Sequence, residues 1–346
     1  MKEDKSAISA FSSLIDSAER IVVSSHTHPD GDALGSTVAL VEYLRRSRGK
    51  DASGVICNSP GRDIAFICDG NGNITFHDSE PEKAESLIAG SDLLILLDCN
   101  GFSRTDSLES IFKAYSGRKV LIDHHMYPER DSFDLVFSET EISSSAELLY
   151  GILLRMDDVA MAPENLPAES AAALLTGMTT DTNNFSNSVY PSTLEMASGL
   201  LRAGVQRDAI IDRLYRSGSE DRVRMTGYMQ WQRMVTLPSG AAYIVIRSKD
   251  IEEFRIVEGD TEGLVNIPLT IGNIRISLLL REDPAGYFRV SIRSKGDLSA
   301  RELAAGWFNG GGHFNASGGR LYIGKDIASP DDAVPYVEKA IMEYLG

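Results

Sequence analysis

The sequence is poor in cysteine and in long apolar runs. Its three cysteines, Cys57, Cys68 and Cys99, form no CxxC pair, and an odd number does not suit a disulfide framework. The longest strongly apolar runs, such as residues 93–97, are far too short to span a bilayer. The charged N-terminal segment MKEDKSAISA has no apolar stretch typical of a signal peptide. These absences predict a cytoplasmic protein with no membrane partner.

Basic residues are also in deficit. The chain has 34 lysines and arginines against 50 aspartates and glutamates, which gives a formal net charge of −16. This charge opposes the long-range attraction of polyanions. An anionic substrate would have to be held locally, by metal ions and a few arginines, and this favours short substrates over long nucleic acid.

The chain is long enough for two domains. It has 346 residues, of which 42% are hydrophobic, ample for buried cores. In the first half, short apolar runs alternate with helical segments, among them residues 80–90, 104–115 and 144–156, which predicts an α/β domain on a mainly parallel sheet. Residues 168–234 read as mostly helical, and strand-like runs follow from 241. We expect a parallel-sheet domain over 1–190, a helical connector over 191–235 and a smaller α+β domain over 236–346.

The most informative stretch follows the apolar run at 21–23 and reads His26-Thr-His28-Pro-Asp30-Gly-Asp32. In an extended segment, residues two apart point to the same side, so Asp30 and Asp32 can converge. Carboxylates combined with one imidazole suit Mn²⁺ or Mg²⁺. The alternative is an aspartate that merely caps the helix that follows, for which the phrase Asp32-Ala-Leu-Gly alone would suffice.

Two further apolar runs end in acidic residues. One is followed by Asp98 and the other by Asp123-His124-His125. The carboxyl end of a buried parallel strand is where an α/β protein places its ligands. One of the two imidazoles can bind a metal while Asp123 orients a ring nitrogen, and the other can face a phosphate. Taken singly, Asp98 is equally well explained as a loop aspartate.

Asp181 ends a helical segment rich in alanine and leucine, where it is either a further carboxylate ligand or a residue that terminates the helix. The histidines support a functional interpretation of these clusters. Five of the six lie in them, and only His77 lies outside. The five are His26, His28, His124, His125 and His313.

A glycine cluster in the C-terminal part, residues 310–312, leads into His313. Consecutive glycines such as Gly311 and Gly312 expose backbone N–H groups that can hold a phosphate. Arg293 and Arg320 lie nearby in the sequence and offer paired donors to phosphate oxygens. The alternative is an ordinary glycine-rich turn.

Together these motifs resemble the DHH phosphoesterase superfamily, named after an Asp-His-His such as residues 123–125. Residues 26–36, which fit His-x-x-Pro-Asp-Gly-Asp-Ala-Leu-Gly-Ser, and Gly-Gly-Gly-His at 310–313 resemble the bacterial oligoribonuclease (nano-RNase)/pAp-phosphatase family. The resemblance covers nearly the whole chain, with the motifs in order. It implies a catalytic domain, a connector and a C-terminal DHH-associated substrate-binding domain, with the active site in the cleft between.

The resemblance implies a centre of two Mn²⁺ ions, for which Mg²⁺ is the other candidate. The implied metal ligands are His26, Asp30, Asp32, Asp98, His124 and Asp181. Asp98 would bridge the ions and, with Asp123 and His125, form the catalytic group. The resemblance also implies that His125, Arg104, Arg293 and His313 meet the phosphate. Gly311, Gly312 and Arg320 are added to the predicted substrate-binding residues by the local pattern described above. A water shared by the two ions would become the attacking hydroxide.

Two positions depart from the family pattern. His28 stands where asparagine is frequent, so we do not assign it to the metal. Asn183-Asn184 stands where a glycine is commoner, which leaves the local shape near Asp181 open. Neither departure removes an implied ligand.

The implied activity is metal-dependent hydrolysis of phosphate esters in short oligoribonucleotides, in 3′-phosphoadenosine 5′-phosphate, or in both. A linear or cyclic dinucleotide phosphodiesterase is one alternative. An inorganic pyrophosphatase is another, although that class tends to have threonine at the position of Gly31 and lacks Gly-Gly-Gly-His. A non-catalytic nucleotide-binding protein is disfavoured because all six implied ligands are present. The sequence leaves open the substrate, the direction of degradation and the oligomeric state, for which a homodimer is one option.

Overall fold

A computed structural model describes residues 5–257 and 259–346. The first four residues of the N-terminal segment, for which we predict no signal peptide, lie outside the described residues, as does Glu258 in the predicted C-terminal domain. The chain divides into two compact units, Met1–Ser217 and Gly218–Gly346. The finer boundaries after residues 190 and 235 stay predictions.

The first unit is built on a six-stranded sheet in which every strand pair is parallel. Its strands are β1 (Arg20–Ser24), β2 (Asp51–Ile56), β3 (Ile74–Phe76), β4 (Leu93–Leu97), β5 (Arg118–Asp123) and β6 (Leu135–Ser138). They lie in the order β3-β2-β1-β4-β5-β6. From β1 the chain first adds strands on one side of the sheet, as far as β3, and then on the other side, beginning with β4. The predicted parallel sheet is confirmed.

The described part of the first unit also contains eight α-helices, and several of them pack on the two faces of the sheet. They are α1 (Lys5–Ser17), α2 (Gly31–Arg46), α3 (Pro81–Gly90), α4 (Glu109–Ala114), α5 (Ser145–Leu154), α6 (Ala168–Asp181), α7 (Pro191–Arg202) and α8 (Arg207–Tyr215). The strands are apolar at successive positions because both faces of the sheet are covered. In β1, Ile21 and Val23 join one buried cluster with residues of α2, α5 and α6. Val22 joins a second cluster with residues of α3 and α4.

Two glycines allow α2 and α6 to pack closely. A Cβ atom on Gly35 would lie 2.7 Å from the carbonyl oxygen of Ala173 and 3.2 Å from Cα of Gly177. Any larger side chain at these positions would separate the helices. The close packing helps to bring the C-terminal end of α6, where Asp181 lies, near the N-terminal end of α2.

The structure differs from the sequence-based expectation in two places in this unit. The short strand β3 was not predicted, because three residues give too short a pattern to detect. A helix was expected over 104–115, but only α4 is α-helical there. Two 3₁₀ turns, Phe102–Arg104 and Asp106–Leu108, precede it, and Asp106 adopts φ +49°, which interrupts a right-handed helix.

The second unit is an α+β structure, as predicted. Its sheet has the order β11-β12-β10-β9-β8-β7 and is antiparallel except for the parallel pair β8–β9. The strands are β7 (Met234–Thr236), β8 (Ala241–Ile246), β9 (Ile276–Asp283), β10 (Tyr287–Ser294), β11 (Gly311–Gly312) and β12 (Ala316–Tyr322). The helices are α9 (Glu220–Tyr228), α10 (Ser248–Glu253), α11 (Ala300–Trp307) and α12 (Ala333–Leu345).

Strand β10 shows how this sheet is packed. Its residues alternate between buried and partly exposed, so one face lies on the core and the other stays accessible. Phe288, Val290 and Ile292 pack on residues of α11 and α12 in one buried cluster. Helix α12 was not predicted from the sequence.

Within the described ranges, we find no helix with the length and apolar content that crossing a membrane requires. The three cysteines are free thiols, and Cys57 and Cys99 are buried.

Candidate metal centre

The candidate site lies at the carboxyl ends of three neighbouring strands of the parallel sheet. Strand β1 pairs with β4, and β4 pairs with β5. His26 follows β1 by two residues, Asp98 follows β4 directly, and Asp123 is the last residue of β5. Because parallel strands end at the same edge, the sheet brings together residues that are about 100 positions apart in the sequence.

The loop after β1 is fixed by neighbours from two other loops. The backbone N–H of Thr27 donates to the carbonyl of Arg104 at 2.8 Å, and its hydroxyl donates to Oδ1 of Asn58 at 2.5 Å. Nδ1 of His26 lies 2.8 Å from the carbonyl oxygen of Thr27. Since a carbonyl only accepts, Nδ1 carries the proton and Nε2 has its lone pair available for a metal.

The helix-capping alternative is wrong for Asp32, which lies inside α2, because the residue that caps this helix is Asp30. Oδ1 of Asp30 accepts from the backbone N–H groups of Asp32 and Ala33, at 3.0 Å each, and caps α2. Its other oxygen, Oδ2, lies 3.8 Å from Nε2 of His26. One carboxylate therefore starts the helix and also faces the site.

The six implied metal ligands form two groups of three: His26, Asp30 and Asp98, and Asp32, His124 and Asp181. In each group the candidate ligand atoms lie within 4.8 Å of one another. Asp98 contacts both groups, because its Oδ2 lies 3.4 Å from Nε2 of His26 and its Oδ1 lies 3.4 Å from Nε2 of His124. Asp98 is buried and adopts φ +52°. This position between two imidazoles is the one that a bridging ligand needs.

Asp32 accepts hydrogen bonds from the first turn of α5. Its Oδ2 accepts from the backbone N–H of Ser145 at 2.7 Å, and its Oδ1 accepts from that of Ala146 at 2.9 Å. The hydroxyl of Ser145 donates to Oδ1 of Asp98 at 3.0 Å. Sequence reasoning missed Ser145. The Ser144-x-x-Glu147 capping pattern predicts a helix start there, but gives no sign that this start faces two aspartates.

His125 connects Asp123 to Arg104. Its Nδ1 lies 2.7 Å from Oδ1 of Asp123, and its Nε2 lies 2.9 Å from Nη1 of Arg104. A guanidinium only donates, so Nε2 accepts from Arg104 and Nδ1–H donates to Asp123. The structure thus brings together three of the predicted catalytic and substrate-binding residues beside the two metal groups.

His28, which we did not assign to the metal, is exposed, and its φ is +50°.

The electrostatics of the site indicate a deficit of positive charge. Burial raises the pKa of Asp181 to about 7, with His124 opposing and nearby carboxylates adding to the shift. Burial and the charges of Asp98 and Asp181 also hold the pKa of Asp32 well above its usual range. Burial would lower the pKa of His124, yet the carboxylates around it, Asp98 first, raise it to about 10. Burial would raise the pKa of Asp98, but His124 and His26 hold it well below its usual range.

The donor set fits divalent cations. It contains four carboxylates and two imidazoles, which suits Mn²⁺ or Mg²⁺ better than a metal that prefers thiolates. Cations bound there would supply the positive charge that the raised pKa values of Asp32 and Asp181 show to be lacking. Cys99, next to Asp98, donates its thiol to the carbonyl of Gly101 at 2.9 Å, and burial raises its pKa to about 12.

The Asn-Asn departure near Asp181 has a defined shape. Asn183, Asn184 and Phe185 all adopt positive φ, of 45°, 53° and 66°, directly after α6. Arg207 donates to Oδ1 of Asn184 at 2.6 Å and helps to hold this turn. Asparagine tolerates the left-handed region better than most residues. The two asparagines therefore adopt the left-handed backbone conformation for which glycine is the commoner residue.

In the second unit, Arg293 and His313 lie near the same end of the sheet. Arg293 pairs with Ala316, and the backbone N–H of His313 donates to the carbonyl of Ala316 at 2.9 Å. Arg320 pairs with Arg289, four residues farther along β10, which places it about 13 Å from the rung of Arg293. The structure therefore does not bring Arg320 next to Arg293.

The glycine cluster forms a hairpin with β12. Gly311 pairs with Gly318 and Gly312 with Ser317, and the N–H of Gly310 donates to the carbonyl of Ala304. A Cβ on Gly310 would lie 2.0 Å from the carbonyl oxygen of Gly318, so close backbone packing requires this glycine. Gly311 and Gly312 are exposed, and their proposed contact with phosphate stays a prediction.

The fold and the site together define an α/β protein with six candidate metal ligands grouped around one carboxylate. Residues 20–178 match the family described as "DHH family, N-terminal domain". A solved exopolyphosphatase-related protein from Bacteroides fragilis is 36% identical, with a TM-score of 0.90, and the alignment covers 99% of this chain and 97% of that one. The chain belongs to the DHH family, so the resemblance seen in the sequence is confirmed.

Other relatives carry functional names. A bifunctional oligoribonuclease and PAP phosphatase of Bacillus subtilis is 27% identical over 310 residues, which cover 88% of this chain and 90% of that protein. The solved exonuclease RecJ bound to manganese has a TM-score of 0.52 at 17% identity, over 99% of this chain and 94% of that one. At that identity the likeness shows the fold alone.

Proposed function

We propose that this protein is a metal-dependent hydrolase that cleaves phosphate esters in short oligoribonucleotides and in 3′-phosphoadenosine 5′-phosphate. The observation that carries the proposal is the position of Asp98, with one oxygen 3.4 Å from His26 and the other 3.4 Å from His124. The Bacillus subtilis relative, named as a bifunctional oligoribonuclease and PAP phosphatase, aligns over most of both chains and supports this pair of substrates.

The proposed cations are two Mn²⁺ ions, with Mg²⁺ as the alternative, which the two groups of ligands would hold, with Asp98 of the first group also facing His124 of the second. Such ions activate water as a nucleophile and neutralise phosphate charge. The chain's own residues would bind the ions, contact the phosphate and orient these groups. His26 offers Nε2 because Nδ1 is committed to a carbonyl. Arg104, held by His125, presents guanidinium donors to a phosphate, and Asp123 fixes the orientation of the His125 ring.

We also propose that residues of the second unit bind the substrate. Arg293 and His313 lie near the same end of the sheet and are suited to one phosphate, with Gly311 and Gly312 beside them. Arg320, about 13 Å farther along β12, would contact a more distant part of a longer oligonucleotide. Recognition by a few local arginines agrees with the net charge of −16.

The cellular setting is a further proposal. The three free thiols fit the reducing cytoplasm, where disulfides are rare. The homodimer option stays a prediction, which size-exclusion chromatography with light scattering would test.

A substrate panel tests the proposed function. Purified protein with Mn²⁺ is incubated with 3′-phosphoadenosine 5′-phosphate, RNA of two to five nucleotides, pApA, cyclic di-AMP and pyrophosphate, each with an EDTA control. We expect turnover of the first two substrates that EDTA abolishes. Turnover of pyrophosphate alone would assign the chain to the pyrophosphatases, and preference for cyclic di-AMP would favour a dinucleotide phosphodiesterase.

Two variants test whether that activity depends on the proposed metal centre. Asp98→Asn keeps the side-chain volume and should abolish turnover without unfolding the protein. Asp208→Asn is the matched control, because this aspartate has a side chain that is 98% exposed on α8. If Asp98→Asn retains Mn²⁺-dependent activity, the two-metal proposal is wrong.

A further inference from the structure

The first turn of α5 contacts two carboxylates from different parts of the fold. Asp32 lies in the first turn of α2, and Asp98 directly follows β4. Ser145 donates its backbone N–H to Asp32 at 2.7 Å and its hydroxyl to Asp98 at 3.0 Å. Ser145 is fully buried. One residue therefore sets where two of the proposed metal-binding carboxylates lie relative to each other.

The orientation of the Asp98 carboxylate needs such a restraint. The torsion that rotates an aspartate carboxylate about its Cβ–Cγ bond is broad and has no sharp minimum. Asp98 faces His26 with Oδ2 and His124 with Oδ1, so a rotated carboxylate would lose one of these two directions. The hydroxyl of Ser145 donates to Oδ1 and opposes that rotation.

The helix turn that carries Ser145 is itself firmly anchored. Ser144 caps α5 by accepting from the N–H of Glu147 at 3.0 Å. The Glu147 side chain is buried, and its Oε2 accepts from the hydroxyl of Thr193 at 2.6 Å and from the hydroxyl of Ser143. A turn held on both sides cannot easily move away from the two aspartates.

We propose that Ser145 is a positioning residue, which holds the Asp98 carboxylate so that each of its oxygens faces one of the two metal groups. This inference rests on the proposed function, because it assumes that the two groups bind cations. Ser145 is not itself a ligand in this proposal. Its role is indirect, as for other residues that orient metal ligands and whose loss weakens metal binding about 10- to 100-fold.

The test compares Ser145→Ala with Ser170→Ala. Ser170 is an equally buried serine in the same unit, and its hydroxyl donates to the carbonyl of Ala39 at 2.8 Å. Each variant loses one buried hydrogen bond, but only the first loses a contact to an aspartate of the site. Mn²⁺ binding is measured by calorimetry, and the melting temperature is measured in EDTA.

We expect Ser145→Ala to bind Mn²⁺ about 10-fold more weakly, or to bind one ion fewer, while Ser170→Ala binds as the wild type. The two variants should melt at similar temperatures in EDTA. Ser145→Thr, which keeps the hydroxyl, should recover most of the affinity. If the alanine variant does not fold, Ser145→Cys replaces it with the same expected loss, because a thiol is a weak donor.

The outcomes separate the two proposals. Wild-type Mn²⁺ affinity and stoichiometry in Ser145→Ala would overturn the positioning role, whatever the activity. Failure of the wild-type protein to hydrolyse any substrate of the panel would overturn the proposed function, but it would leave the calorimetric comparison valid. Absence of Mn²⁺ and Mg²⁺ binding by the wild-type protein would overturn both.

Discussion

Nη1 of Arg104 lies 2.9 Å from Nε2 of His125, and the opposite nitrogen of the same ring lies 2.7 Å from Asp123. The guanidinium is thus held by a histidine whose own orientation is set by a carboxylate. We therefore expect His125 to act partly through Arg104, by holding the guanidinium in place.

We expect His125→Ala to lower kcat/KM by about 100-fold, because a phosphate loses a positioned charged donor. Mn²⁺ stoichiometry should be unchanged, since His125 is not one of the six proposed ligands. Steady-state kinetics and calorimetry check both statements. His77→Ala is the control, because His77 lies outside the site and contacts Ser107. Arg104→Ala combined with His125→Ala should cost little more than either change alone, and full additivity would contradict the coupling.

The stability of the metal-free protein should fall as pH rises from 6 to 8.5. The folded-state pKa of His124 is raised from 6.5 to about 10, and that of Asp181 from 3.8 to about 7. Both groups therefore bind a proton more tightly in the folded than in the unfolded chain. The stability that Asp181 contributes is lost between about pH 4 and 7, and that of His124 between about pH 6.5 and 10.

In the proposed centre Mn²⁺ would take the place of these protons, so we expect the gain in melting temperature on adding Mn²⁺ to grow with pH. Thermal melts in EDTA and in Mn²⁺ at pH 6, 7 and 8.5 measure this gain. Calorimetry in two buffers of different ionisation enthalpy should also detect proton release on binding. A gain that is equal at all three pH values would contradict the prediction.

The contact between α2 and α6 should not tolerate a single methyl group. Gly35→Ala places a Cβ 2.7 Å from the carbonyl oxygen of Ala173, and we expect it to lower the free energy of unfolding by about 1–3 kcal/mol. Gly90→Ala is the control in the same unit. Apart from its chain neighbours and the adjacent backbone of α3, no described atom lies within 4 Å of its added Cβ, so it should be neutral or stabilise by about 0.5–1 kcal/mol. Urea denaturation measures both, and equal effects would argue against close helix packing.

The two arginines of the second unit should differ in their dependence on substrate length. Arg293→Ala should raise KM for both 3′-phosphoadenosine 5′-phosphate and a five-nucleotide RNA, by about 10-fold, through loss of a charged hydrogen bond. Arg320→Ala should raise KM for the RNA only, because Arg320 lies about 13 Å farther along the sheet. Equal effects of Arg320→Ala on the two substrates would contradict this arrangement.

The sequence could predict that the site residues lie close together, because their positions depend on where the strands end. His26, Asp98 and Asp123 each follow or complete an apolar run, and parallel strands end at one edge of their sheet. Asp181 ends a helix instead of a strand, so the local pattern left it open between a ligand and a residue that terminates the helix, and the family pattern favoured the ligand. The order of the strands, which places β1 beside β4, was not visible in any local pattern.

The missed features are those that depend on the backbone or on tertiary contact. The contact of Ser145 with Asp32 uses a backbone N–H, and almost every residue type carries one. The left-handed turn after Asp181 depends on how Asn184 is held by Arg207, which lies 23 residues away. In the same way, Asp106 broke a predicted helix through its φ of +49° rather than through an unfavourable residue type.

Cys99 stands next to the proposed bridging aspartate, yet it should be chemically inert. Its thiol is buried, donates to the carbonyl of Gly101, and has a pKa of about 12, so almost none of it is thiolate at neutral pH. Alkylating reagents and dissolved oxygen should therefore reach this position slowly. Titrations of Mn²⁺ therefore need no thiol reductant to protect Cys99, and such reductants would themselves compete for the ion.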